Sequence, residues 1–200
     1  DVENNSTEIR ESVMTSLKAI MASVGERLQP ATRTTVEQRM VELLTNDEED
    51  VRVLAAGVLG VTLSFSDDAT FKTIMENTIL LSGSPSTDVA VRHGKCVALG
   101  QALKYNTERC KPYHGHIIED DATYIKDDVL LVRMAGISVC KYVLNIYNSM
   151  SEENKQLVLK DLITELTACI YHPNSSVRFE TVVSISLFGK VCKDTNVDLL

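Results

Sequence analysis

The chain has 200 residues, 44% hydrophobic and 24% charged, with a formal net charge of −8 at pH 7. That balance suits a soluble protein with ample apolar material for burial, and it disfavours gripping a nucleic-acid backbone, which takes a concentrated Lys/Arg face. No apolar run approaches the roughly eighteen residues of a membrane span, and five cysteines (Cys96, Cys110, Cys140, Cys169, Cys192) with no CxxC pair read as reduced, buried thiols of a cytosolic protein.

From the amino end, Ile9, Val13, Met14, Leu17, Ile20, Met21 and Val24 share one helical face and predict a helix over 7–24, punctuated by Gly25 and Pro30. The next pair joins 31–44 (Val36, Met40, Leu43 and Leu44 inward) to 50–63 through the acidic turn Asn46-Asp47-Glu48-Glu49-Asp50. Carboxylates there sit where a helix N-terminus favours them. Asp67 or Asp68 caps a helix carrying Phe71, Ile74, Met75, Thr78 and Ile79, and Gly83-Ser84-Pro85-Ser86 turns the chain into a helix over 88–105. Gly94 and Gly100 are costly inside that helix and imply close backbone approach to a neighbour. Pro112-Tyr113-His114-Gly115-His116 reads as a loop, 117–125 as a short helix and 127–147 as a long one. Ser151 caps 152–171, and His172-Pro173-Asn174 turns into 176–193. No segment reads as a strand.

These elements repeat. Five of the nine arginines directly follow a Val or Ile: Arg10, Arg52, Arg92, Arg133 and Arg178, spaced 42, 40, 41 and 45 residues apart. Seven residues after each stand Leu17, Leu59, Leu99, Cys140 and Ile185; eleven after come Met21, Leu63, Leu103, Leu144 and, breaking the series, Gly189. A period in the forties with helical register marks an all-α solenoid of HEAT repeats, an α-α superhelix. The expected layout is one array over 1–200 with about four helix pairs behind a trimmed leading helix: 1–28 (partial), 29–65, 66–108, 109–149 and 150–195. With no polar capping repeat evident, it reads as a fragment of a longer solenoid. The five arginines are expected to form a structural ladder, each one turn into its helix and reaching carboxylates on the preceding turn, with Asp47, Asp50, Asp88, Asp127 and Asp128 as candidates.

No catalytic constellation converges. Cys110, His114 and His116, followed by Glu119, Asp120 and Asp121, have ligand-like chemistry but lack the paired spacing that fixes zinc, so neither metal nor cofactor is expected. Arg92-His93-Gly94-Lys95 lies inside a helix and lacks a phosphate-loop pattern. The acid pairs Asp67/Asp68 and Asp127/Asp128 fall at helix starts as caps, and no small-molecule substrate is implied.

Two stretches go beyond a generic HEAT pattern: Asn46 to Arg52 running into Ala55-Ala56-Gly57-Val58-Leu59-Gly60, and Val91-Arg92-His93-Gly94-Lys95 running into Val97-Ala98-Leu99. With Asn174-Ser175-Ser176-Val177-Arg178 further on, they resemble the C-terminal HEAT array of the ribosome-associated translational activator of general amino-acid control. The resemblance spans about 9–191 and implies a non-catalytic, cytoplasmic scaffold. It also implies that the whole protein associates with ribosomes and supports the starvation-responsive kinase of initiation factor two alpha through RWD-domain partners. The family's best-defined RWD-binding stretch lies at or before the start of this chain. Within the matching block, His93 and Lys95 are the candidate partner contacts, provided their side chains face outward. The insert Tyr113–Asp121 departs from the pattern and is expected to alter one surface. The rival readings are a nuclear-transport-receptor or phosphatase-subunit type of HEAT scaffold, and a HEAT-like DNA glycosylase, which would need a basic, aromatic-lined face.

Overall fold

The computed structural model describes residues 2–81 and 85–193, with side chains over 8–81 and 85–191. The expected turn at Gly83-Ser84, the Cys192 thiol and the chain's last seven residues lie outside that set. Every regular element described is helical. The helices divide into two compact units, Asp1–Asn106 and Thr107–Leu200.

The first unit holds α1 (Val2–Val24), α2 (Pro30–Leu43), α3 (Glu49–Thr62), α4 (Asp68–Ile74) and α5 (Val89–Tyr105). α3 packs between α1 and α5, with α2 also against it. Every residue from Ala55 to Thr62 is consequently buried, and a helix apolar on all sides can only be the middle of a stack. α1, α3 and α5 carry the Arg10, Arg52 and Arg92 copies, so the repeated helices line up as neighbours, with α2 packed on α3 and the turn that follows α4 packed on α5. Pro30 opens α2, where its missing N–H costs nothing. Asp67 caps α4 by accepting the Thr70 N–H at 2.7 Å, and Asp88 caps α5 by accepting the Ala90 N–H at 2.8 Å. α4 continues into a π-turn, Met75–Ile79, closed by the Leu80 N–H donating to the Met75 carbonyl at 2.9 Å.

The second unit holds α6 (His114–Ile125), α7 (Leu130–Asn145), α8 (Glu152–Leu157), α9 (Thr164–Cys169) and α10 (Ser175–Lys193). A π segment, Val158–Ile163, runs directly from α8 into α9, so the one helix expected over 152–171 is three abutting pieces. α7 lies between α6 and α10, and α6 also meets α8, the π segment and α9. Tyr147 and Phe188 meet edge to face, 5.2 Å between ring centres, and fasten the end of α7 to α10.

Three features depart from the sequence reading. Ile9, Val13 and Ile20 are about half exposed (57%, 57% and 51%), so only part of the apolar face of α1 is covered. His114 begins a helix instead of sitting in a loop. The insert Tyr113–Asp121, expected to alter one surface, leaves His116 and Glu119 exposed and also puts Ile117, Ile118, Asp120 and Asp121 into the packing around α6. Ile117, Ile118, Asp121, Ala122 and Ile125 recur at helical spacing, and that face outweighs the loop-like composition just before it.

Candidate functional site

The arginine series builds one turn four times. Arg52 Nη1 donates to the backbone carbonyls of Asn46 (2.6 Å) and Asp47 (2.9 Å). Arg92 Nη1 does the same to Ser86 and Thr87, both at 2.9 Å. Arg178 Nη1 donates to His172 (2.8 Å) and Pro173 (2.7 Å), and Arg133 Nε to Asp127 (2.9 Å). The residue six before each arginine also turns its side chain forward. Asn46 Oδ1, Ser86 Oγ, Asp127 Oδ1 and His172 Nδ1 accept the backbone N–H of Glu48, Asp88, Val129 and Asn174, at 2.9, 3.1, 2.9 and 3.1 Å. One guanidinium therefore satisfies carbonyls left over at the end of the preceding segment, while a small polar side chain starts the next helix.

Carboxylates on the preceding repeat's turn were the expectation for the arginines; Arg10 instead pairs with Glu48 on the following repeat's turn, at 2.5 Å across half-exposed side chains. The other four hold carbonyls of their own turn, because the turn folds back over the first helical turn. Position six before the arginine is the signal that a reading centred on Val-Arg misses. The polar set Asn46, Ser86, Asp127 and His172 was visible in the sequence, and Asn4 occupies the same place in the first copy, outside the described side chains.

His93 does not face outward. It is 3% exposed, and its Nδ1 accepts from Arg52 Nε at 3.1 Å, joining α3 to α5. Burial, and then the adjacent Arg52 charge, hold its pKa down at about 4. An imidazole already acting as acceptor for a guanidinium is neutral and out of a partner's reach, so the expected contact at His93 is corrected to an inter-helix link. Lys95 is half-buried, and its Nζ donates to the Leu80 carbonyl at 3.3 Å, where the π-turn ends. Between them Gly94 runs against α2: a Cβ on it would stand 1.8 Å from the Leu44 carbonyl oxygen, so only glycine fits.

In the second unit, Asp121 on α6 is fully buried and neither carboxyl oxygen accepts a hydrogen bond. Burial, with Asp120 adding to it, pushes its pKa well above the usual carboxylate range. Cys140 on α7 is raised by burial and then by Asp121, and the Cys110 thiol is pushed up to about 12 by burial. Such thiols are packing groups rather than nucleophiles or ligands. Among the described residues no group of three His, Cys, Asp or Glu side chains is placed to hold a metal ion. No described helix is long and apolar enough to cross a membrane.

One open groove stands out, about 400 Å3 in volume, between α2 and α4 of the first unit. Thr34, Glu37 and Val41 line it from α2, and Thr70, Thr73 and Ile74 from α4.

The comparisons with known proteins agree with a fold of helical repeats. Residues 2–199 match the family described as stalled ribosome sensor GCN1-like, HEAT repeats. Protein ILITYHIA of Arabidopsis thaliana is 20% identical over 184 residues, covering 91% of this chain and 7% of that protein. The stalled ribosome sensor GCN1 of Mus musculus is 23% identical over 172 residues, covering 85% of this chain and 6% of that protein. The chain thus spans less than a tenth of the length of these relatives. A designed armadillo repeat protein solved with a (KR)4 peptide superposes with a TM-score of 0.53 at 15% identity, over 90% of this chain and 76% of that one. An engineered protein superposes with a TM-score of 0.52 at 18% identity, over 94% and 78% respectively. At such identities the two structures speak for the fold alone.

Proposed function

The chain belongs to the family of GCN1-like stalled-ribosome-sensor HEAT repeats, which it matches over 2–199, and on that footing we propose that it is a non-catalytic protein-interaction segment of a cytoplasmic, ribosome-associated protein. In this reading the full protein supports activation of the starvation-responsive kinase of initiation factor two alpha. The segment offers docking surface to protein partners, RWD-domain proteins including that kinase among them. No cofactor, small-molecule substrate or direct nucleic-acid contact enters the proposal.

The observation that carries it is the family match together with the stack of repeated helices. Burial supports it too: the shifted His93, Asp121, Cys110 and Cys140 all lie inside the packing instead of facing a substrate. Of the two residues expected to meet a partner, Lys95 is the one whose partly open side chain keeps that role in the proposal. The five arginines keep their structural role, with Arg10–Glu48 and Arg52–His93 tying successive repeats.

The test is deletion of this segment from the full-length protein. Polysome association and phosphorylation of initiation factor two alpha are then followed during amino-acid starvation. The proposal expects at least one of these to fall. Unchanged values for both, with the truncated protein at normal abundance, would overturn it.

A further inference from the structure

The groove between α2 and α4 is built around an anion. Glu37 is the single ionisable group among the residues lining it, and it is 2% exposed. Its carboxylate has one described partner, the Ser66 hydroxyl, which donates to it. Arg33, one helical turn earlier on α2, would be the natural counter-ion, yet its Nη1 is held by the carbonyls of Gly25 (3.3 Å), Glu26 (3.4 Å) and Leu28 (2.6 Å). Arg39, on the same helix, pairs with Glu42 at 2.7 Å. A buried carboxylate with one hydroxyl donor and, among the described residues, no cation within ion-pair distance leaves most of its acceptor capacity unused, and burying such a charge is costly until it is paired.

The walls suit a particular guest. Val41 and Ile74 supply apolar surface, and Thr73 directs its hydroxyl to the Ala69 carbonyl at 2.8 Å, bonding within its own helix. A slot with methyl-bearing walls and Glu37 in its lining fits an alkyl stem ending in a cation, which is the shape of a Lys or Arg side chain. At about 400 Å3 it has room for that side chain and apolar residues beside it. An open groove whose wall mixes Val41, Ala69 and Ile74 with threonines and Gln38 offers a polypeptide contacts beside the cation that a free amine lacks.

We propose that the α2–α4 groove is a docking site for a partner-protein segment that inserts a Lys or Arg side chain, with Glu37 as the counter-ion. The site goes beyond the ribosomal reading and stands whether or not that reading does.

The test uses the 200-residue chain and a phage-displayed random dodecapeptide library. Enriched peptides are expected to share a basic residue with an apolar residue one helical turn or two strand positions away. Their binding should weaken at least tenfold, about 1.4 kcal/mol, in Glu37→Gln, which keeps the shape and can still accept from Ser66. Replacing the peptide's basic residue by norleucine should cause the same loss, with no further loss when both changes are combined. Thr70→Arg, which puts an internal cation beside Glu37, should also abolish binding, and its thermal melt confirms that the unit remains folded. Methyl resonances of Val41 and Ile74 should move on binding. The proposal is overturned by enrichment without a basic residue, by equal binding to Glu37→Gln, by methyl shifts elsewhere, or by no enrichment. Displacement by spermidine at equal concentration would make this a polyamine site and also overturn it.

Discussion

Two glycines show how much one carbon atom can decide. At Gly94 a Cβ would collide with the Leu44 carbonyl at 1.8 Å, whereas at Gly189 nothing lies within 4 Å. Gly94→Ala should therefore lower unfolding stability by about 3 kcal/mol, the upper end for a forced contact in a packed interior. Gly189→Ala, inside α10, should raise it by about 0.5–1 kcal/mol through helix propensity. Urea titration of the pair measures both. Protonation gives a second test. With its folded pKa at about 4 against 6.5 unfolded, neutral His93 stabilises the fold fully above pH 6.5. That contribution fades as pH falls from 6.5 towards 4, because the unfolded chain takes up the proton first. The loss should reach roughly 3 kcal/mol and flatten in His93→Gln. Asp121 works in the opposite direction. Its raised pKa means the unfolded chain ionises first, so stability drops as pH climbs from 3.8 upward. Asp121→Asn should then be more stable than the parent at pH 7, with the gain shrinking towards pH 4. Gly94 could be inferred from sequence, since a glycine inside an apolar helix demands a close neighbour. The inward turn of His93 could not, because it depends on where α3 places the Arg52 guanidinium.

At the scale of the element, the Arg-stapled turn makes a helix pair legible from a single residue. Losing the staple should cost more where the arginine is buried. Arg52 is 3% exposed and also holds His93, so Arg52→Met leaves two carbonyls and an imidazole nitrogen short of a donor and should cost about 3 kcal/mol. Arg178 is exposed and water can replace it, so Arg178→Met should cost under about 1 kcal/mol. Amide hydrogen exchange at Glu48 and Asn174, the residues that follow each turn's polar side chain, distinguishes the two. Helix existence and order were readable because the seven- and eleven-residue spacings follow α-helical geometry. Leu59, Leu99 and Cys140 at the first spacing and Met21, Leu63, Leu103 and Leu144 at the second are all buried. The π segments at Met75–Ile79 and Val158–Ile163 were not readable, since one extra residue per turn leaves the apolar pattern nearly unchanged. The groove was equally hidden. Glu37 looks like any surface acid in sequence, and its burial comes from Ser66 and α4 arriving some thirty residues later.

For the chain as a whole, a net charge of −8 sets what the proposed ribosomal role can rest on. Holding RNA through phosphates means releasing counter-ions, and affinity then falls steeply with salt, by roughly three orders of magnitude or more between 50 and 200 mM for six or more contacts. Here acids outnumber basic residues 28 to 20, and several basic side chains are already engaged. Arg10, Lys126 and Lys141 pair with Glu48, Glu165 and Glu180, and Arg52, Arg92, Arg133 and Arg178 hold their turns. Labelled ribosomal RNA should therefore not be shifted by the isolated chain even at about 50 mM salt. Any association with intact ribosomes should run through protein surfaces and change less than about threefold up to 200 mM. A steep salt slope would mean that the remaining cations are gathered on one face, and that result would count against a purely protein-docking role.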